Sequence, residues 1–78
     1  MGSKDVWDPL CAAFGEAIRA RRERVGISQE ELAHRADIDR TYVSGIERGV
    51  RNPTLKTIAR LAKALSVPAH KLLASAES

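Results

Sequence analysis

Aromatic residues are scarce in this 78-residue chain: Trp7, Phe14 and Tyr42 are the only three. With 44% of residues hydrophobic, the apolar content is mainly Ala, Leu, Ile and Val, which suits packed helices better than a sandwich of strands. Cysteine is nearly absent as well. The lone Cys11 excludes an intrachain disulfide and a multi-cysteine zinc site, and its expected place is the core side of the first helix. His34 and His70 lie far apart, with no partner at ligand spacing, so no metal is expected. There is no glycine-rich phosphate loop and no Gly-x-Ser-x-Gly elbow, which argues against an enzyme and leaves no cofactor to expect. Nor is there a run of about 18 apolar residues or a signal-peptide pattern, so a cytoplasmic protein with no membrane partner is expected.

What remains is small and basic. Lys and Arg number 13 against 10 Asp and Glu, a formal charge of +3. That balance favours a polyanionic partner, although an ordinary, mildly basic surface would look the same. A chain of this length makes one domain, which buries only about 60% of the surface its unfolded form exposes. Its core must be modest.

Helix signals punctuate the chain at short intervals. Asp8-Pro9 is a good helix start, because Asp can cap free amides and Pro suits the first helical position. Leu10, Phe14, Ala17, Ile18, Arg21 and Val25 then recur at helical spacing until Gly26. Ser28 and Glu31 form a capping box, in which Glu31 should reach back to the Ser28 amide, and open a second helix from Gln29 to about Ala36. Asp39 caps a third helix from Arg40 to Arg48, ended by Gly49. Thr54 caps a fourth, with an apolar stripe of Leu55, Ile58, Leu61, Ala62 and Leu65, and Pro68 opens a short fifth carrying Leu72 and Leu73. Residues 1–7 are expected to be a flexible lead-in, of which Met1 to Lys4 carry no fold information. Residues 8–75 form the domain. A frayed end occupies 76–78, with unravelling from Ala74 onward. The expectation is an all-α, five-helix domain without strands or internal repeats.

The second and third helices carry the functional signal. They are short, close together and apolar where they meet: Ala33 lets the axes approach, while Leu32, Ile38, Val43 and Ile46 fill the angle. The run Ser28-Gln29-Glu30-Glu31-Leu32-Ala33, followed by Asp39-Arg40-Thr41-Tyr42-Val43-Ser44-Gly45-Ile46-Glu47-Arg48-Gly49, resembles the phage-repressor (Cro/cI, XRE) family of helix-turn-helix proteins. The resemblance spans roughly Ile18 to Leu65. Within that family, Asp39 to Asn52 followed by Pro-Thr-Leu-Lys-Thr-Ile is most similar to the controller proteins of restriction-modification systems. It implies a lambda-repressor-like domain, with its helix-turn-helix unit at about 28–49, that regulates transcription by binding double-stranded DNA.

Arg40, Thr41, Ser44 and Arg48 lie along one side of the third helix, with Val43 and Ile46 turned inward. Arg40 is the expected base reader, since its guanidinium can donate two parallel bonds to guanine O6 and N7. Thr41 and Ser44 can also reach base edges, although both are ordinary exposed residue types. Gly45 is unfavourable in a helix by about 1 kcal/mol relative to Ala. Either it admits a thymine methyl or sugar-phosphate chain, or it is a tolerated weakness. Tyr42 either meets a phosphate or covers the second helix. Gln29 resembles the family's phosphate-contacting glutamine, supported by helix N-terminal amides at Ser28. Arg48, Arg51, Asn52 and Lys56 are further candidates for the DNA backbone. Arg22 and Glu47 match family positions that form a structural ion pair.

One short helix supplies few contacts, so a homodimer on an inverted repeat is expected. Leu65, Val67, Leu72 and Leu73 are its candidate interface, with packing inside one chain as the alternative. Glu30, on the exposed face of the second helix, is the candidate contact for RNA polymerase, with simple solvation as the alternative. Two rival functions share the fold: an antitoxin or phage-type repressor, and a co-activator-like bridge between proteins.

Overall fold

Each predicted cap forms a helix end. The computed structural model describes residues 8–77, and the lead-in expected at residues 1–7 lies outside them. Among the described residues there are five helices and no strand: α1 (Pro9–Val25), α2 (Gln29–Ala36), α3 (Arg40–Glu47), α4 (Leu55–Ala64) and α5 (Ala69–Glu77). The carboxylate or hydroxyl of Asp8, Ser28, Asp39 and Thr54 accepts from the amides of Leu10, Glu31, Thr41 and Thr57, satisfying donors that a helix leaves unpaired. The capping box is only half made, however. Glu31 does not turn back to Ser28; its carboxylate accepts from Arg35 Nε at 2.9 Å, one helical turn on.

The first four helices end in one shared closure. Gly26, Asp37, Gly49 and Ser66 all have positive φ, and the next residue's amide bonds back five positions: Ile27 to Arg22, Ile38 to Ala33, Val50 to Gly45 and Val67 to Ala62. An Ile or Val follows every left-handed residue, and Ile27, Ile38 and Val67 pack against the core. The chain therefore leaves each of these helices in a tight turn and returns to the same apolar centre, within three residues between α1 and α2 and between α2 and α3.

That centre lies between α1, α3, α4 and α5, with α2 resting on α3 and α4. Phe14, Ile18, Leu32, Val43, Ile46, Leu61, Leu65 and Leu72 are buried in one cluster. Three expectations need correction. Leu55 is 79% exposed rather than part of the α4 stripe, and the small Thr57 takes an inward position. Leu10 and Val25, at the two ends of α1, are also exposed, while Cys11 and Gly15 turn inward. Finally, α5 stays helical through Glu77, past Ala74 where unravelling was expected.

Gly15 decides how closely α1 crosses α3. A Cβ there would overlap the carbonyl oxygen of Ile46 and stand 2.9 Å from that of Glu47, so any side chain must push two helix backbones apart. Gly49 makes a second such contact, its Cβ position lying 2.8 Å from Ala12 Cα. Overpacking of this kind costs about 1 to 3 kcal/mol, and a backbone obstacle relaxes poorly. Gly15→Ala should therefore lower the unfolding free energy by about 3 kcal/mol despite its better helix propensity. A lower urea midpoint at unchanged slope would show it; an unchanged midpoint would mean that the crossing is looser than this.

Candidate nucleic-acid interface

The chemistry of α3 is divided by its two sides. Val43 and Ile46 are fully buried, whereas Arg40, Thr41 and Arg48 are exposed and Ser44 is half-buried. The exposed set follows the helical repeat, so it forms a ribbon of one guanidinium, two hydroxyls and a second guanidinium. Its start is fixed by Asp39, whose carboxylate accepts from both the amide (3.0 Å) and the hydroxyl of Thr41. These bonds, with lesser help from the charges of Arg40 and Arg51, hold the Asp39 carboxyl below the usual carboxylate range. Thr41 thus has its hydroxyl proton engaged, leaving its methyl and oxygen lone pairs for another partner.

The opposite end of α3 is fixed by a buried carboxylate. Glu47 accepts from Arg22 Nε at 2.7 Å and from Arg22 Nη2 at 3.1 Å, so the two residues expected to form an ion pair meet in a bidentate one. A third donor was not foreseen: Gln29 Nε2 reaches Glu47 Oε1 at 2.9 Å. Arg22 also donates through Nη1 to the Ile27 carbonyl at 2.9 Å, which ties in the turn between α1 and α2. The Glu47 hydrogen bond is the leading cause that raises the Arg22 pKa, against the cost of burial. Gln29, expected on a phosphate, therefore has one amide hydrogen engaged internally, with the second free for an anion at the start of α2.

The remaining candidates gather around the same face or next to it. Arg48, Arg51, Asn52 and Lys56 are exposed on the segment from the end of α3 into α4, and Ser28 is exposed with its hydroxyl capping α2. Tyr42 is half-buried, and the Arg51 guanidinium carbon lies 5.3 Å from its ring centroid. Gly45 is buried, not open to a groove; a Cβ there would stand 2.5 Å from Arg51 Cγ. The close approach expected at this glycine is thus made by the protein's own side chain. Glu30 is exposed on α2. Arg21, read only as a member of the α1 stripe, donates to the carbonyls of Leu65 and Ser66 at 3.4 Å and closes the end of α4.

The dimer residues chosen from sequence are not all available. Leu65 and Leu72 are 1% and 4% exposed inside the chain's own core, and Val67 and Leu73 pack beside them. Five helices absorb more leucine than four would. The apolar surface left over keeps only Leu73 of the four: with Leu10, Pro53 and Ile58 it lines a shallow groove, and Leu55 stands one turn before Ile58. Burial raises the pKa of Cys11 beneath this groove, which keeps it a protonated thiol. No helix among the described residues is long and apolar enough to cross a membrane. Nor do the described residues include a group of three or more His, Cys, Asp or Glu that could hold a metal ion.

An outward-facing polar ribbon on a short helix, braced from behind by a second, is the arrangement of a helix-turn-helix protein. The helix-turn-helix family model matches residues 18–72, and the chain belongs to that family, in its XRE-type branch. Its close homologues are restriction-modification controller proteins. It is 46% identical over 61 residues to control protein C.BamHI of Bacillus amyloliquefaciens, covering 77% of this chain and 75% of that one. With control protein C.SmaI of Serratia marcescens it shares 45% identity over 60 residues, covering 77% and 71%. The crystal structure of controller protein C.AhdI from Aeromonas hydrophila superposes with a TM-score of 0.78 at 44% identity, covering 80% of this chain and 94% of that one.

The Glu47 network yields a stability prediction. Removing one partner of a buried ion pair strands the other, at about 3 to 5 kcal/mol. Arg22→Ala should destabilise by that amount, and Gln29→Ala by about 1 to 3 kcal/mol because Arg22 still holds the carboxylate. Chemical denaturation of both variants measures this; equal losses would place Gln29 on a par with the arginine.

Proposed function

We propose that this chain is a sequence-specific transcriptional regulator of a restriction-modification system, binding an inverted-repeat operator in double-stranded DNA as a homodimer and acting on its own promoter. It would work in the bacterial cytoplasm. The reading rests on the outward ribbon of α3, rigidly backed and carrying no free acid: Asp39 is engaged by Thr41, and Glu47 by Arg22 and Gln29. Arg40, Thr41 and Ser44 take the base edges in the major groove. Ser28, Gln29, Tyr42, Arg48, Arg51, Asn52 and Lys56 take the phosphates, which position the helix without reading sequence. The controller proteins among its relatives favour this reading over an antitoxin or a co-activator.

A second copy of the chain completes the reader. We assign the interface to the face of Leu10, Pro53, Leu55, Ile58 and Leu73, of which the monomer leaves Leu10 and Leu55 exposed and the others partly covered. Leu55 matters most, because a leucine that exposed at a helix start gains nothing in the monomer. On such a dimer Glu30 would be the acid offered to RNA polymerase.

Selection of bound DNA from a random pool, followed by footprinting upstream of the chain's own gene, should return an inverted repeat with half-site centres about one helical turn apart. Arg40→Ala should then relax a guanine preference at one position per half-site, a loss of about 1 to 3 kcal/mol of discrimination. Uniform weakening on all sequences would make Arg40 a phosphate clamp, and equal binding to random DNA would remove the regulator reading. In sedimentation at micromolar concentration, Leu55→Asp should run as a folded monomer and the native chain as a dimer; a dimeric variant would move the interface off this face.

A further inference from the structure

Arg51 is written into the sequence as a loop cation and is exposed, yet its side chain lies against α3. Its stem crosses Gly45, with Cγ 2.5 Å, Nε 3.5 Å and Cβ 3.6 Å from where a Cβ would be. Its guanidinium then rests on Tyr42, 5.3 Å from the ring centroid. Tyr42 and Gly45 lie three apart and so are neighbours on α3, Tyr42 being the nearer to its start. Arg51 therefore runs back along the helix toward its N-terminal end, where its charge and that of Arg40 are both felt by the Asp39 carboxylate.

We infer that Gly45 is a positioning residue: the missing side chain leaves a track along which Arg51 lies across α3 and sets its guanidinium over the Tyr42 ring. This rests on the DNA-binding reading proposed above. A glycine is unfavourable inside a helix, and here no positive φ asks for one. The backbone is not the obstacle either. At Gly15 a methyl would strike two carbonyl oxygens, whereas at Gly45 it would strike only the flexible stem of Arg51. An alanine at 45 can be accommodated by moving Arg51, leaving the fold intact and the second guanidinium displaced. Tyr42 supplies the other end of the track through its ring face, a contact that a cation over an aromatic ring favours.

The experiment is a double-mutant cycle on operator affinity, measured at one salt concentration with Gly45→Ala, Arg51→Ala and the double variant. Thermal melts should show all three folded. Each single change should weaken binding about tenfold, and the double variant should bind no more than about twofold more weakly than Arg51→Ala alone. If Gly45→Ala weakens the Arg51→Ala background by the same factor as the native chain, Gly45 meets the DNA itself and the inference fails. It also fails if Gly45→Ala binds like the native chain. A readout without DNA separates this from failure of the DNA-binding reading. The Arg51 side-chain proton resonances should be shifted upfield by the Tyr42 ring in the native chain. They should return toward random-coil positions in both Gly45→Ala and Tyr42→Leu. Resonances that do not move in Gly45→Ala would overturn the track whatever the chain binds.

Discussion

The Glu47 carboxylate accepts three hydrogen bonds from two other helices, and the direction in which α3 faces depends on them. Arg22 approaches from α1 and Gln29 from α2, so one side chain at the end of α3 fixes both of its neighbours. An ion pair this well buried adds little net stability over an apolar filling, because both charges lose water. Its value is angular. A bidentate guanidinium accepts a carboxylate in one plane, whereas leucines of the same volume could slide past one another. The pair thus sets the angle at which Arg40 and Thr41 would enter a groove, while the apolar centre supplies the burial that holds the domain together.

The helix ends serve the same purpose from outside. Four times a left-handed residue is followed by Ile or Val, and each time the next amide bonds back five positions. This satisfies carbonyls that a helix end would leave open, and it turns an apolar side chain back toward the centre. In three of the four cases that side chain packs against the core. Connections this short leave α2 and α3 little freedom to change their relative angle. The chain can therefore hold a reading helix steady with a core drawn from only 78 residues.

Local signals were legible in the sequence because they act within one turn. Asp8, Ser28, Asp39 and Thr54 each cap a helix as their residue types predict, and the ribbon of Arg40, Thr41 and Ser44 follows from spacing alone. Positions that depend on a second element were harder to read. Leu55 fits the α4 period as well as Leu61 does, and only the placing of the helices packed against α4 shows that one is exposed and the other buried. Leu65 and Leu72 were assigned outward for the same reason, since a sequence does not state how many helices share one core. Gln29 has the composition of a phosphate ligand and the geometry of a brace. Its partner lies 18 residues away, beyond any local pattern.

The glycines sharpen this distinction between contacts that can yield and contacts that cannot. Gly15 and Gly49 face backbone or Cα atoms of another segment, so they fix how α1 lies against α3 and the turn after it. Gly45 faces a side chain with several rotatable bonds. A protein that needed only a rigid helix would gain from an alanine there, since α3 is eight residues long and each unfavourable position weighs on it. Keeping a glycine at this position of α3 is reasonable only if something must lie against it. The nearest atoms are those of Arg51, held at its far end by Tyr42. α3 thus combines a fixed back, set by Glu47, with a flank on which the stem of Arg51 settles against Gly45 and its guanidinium against Tyr42.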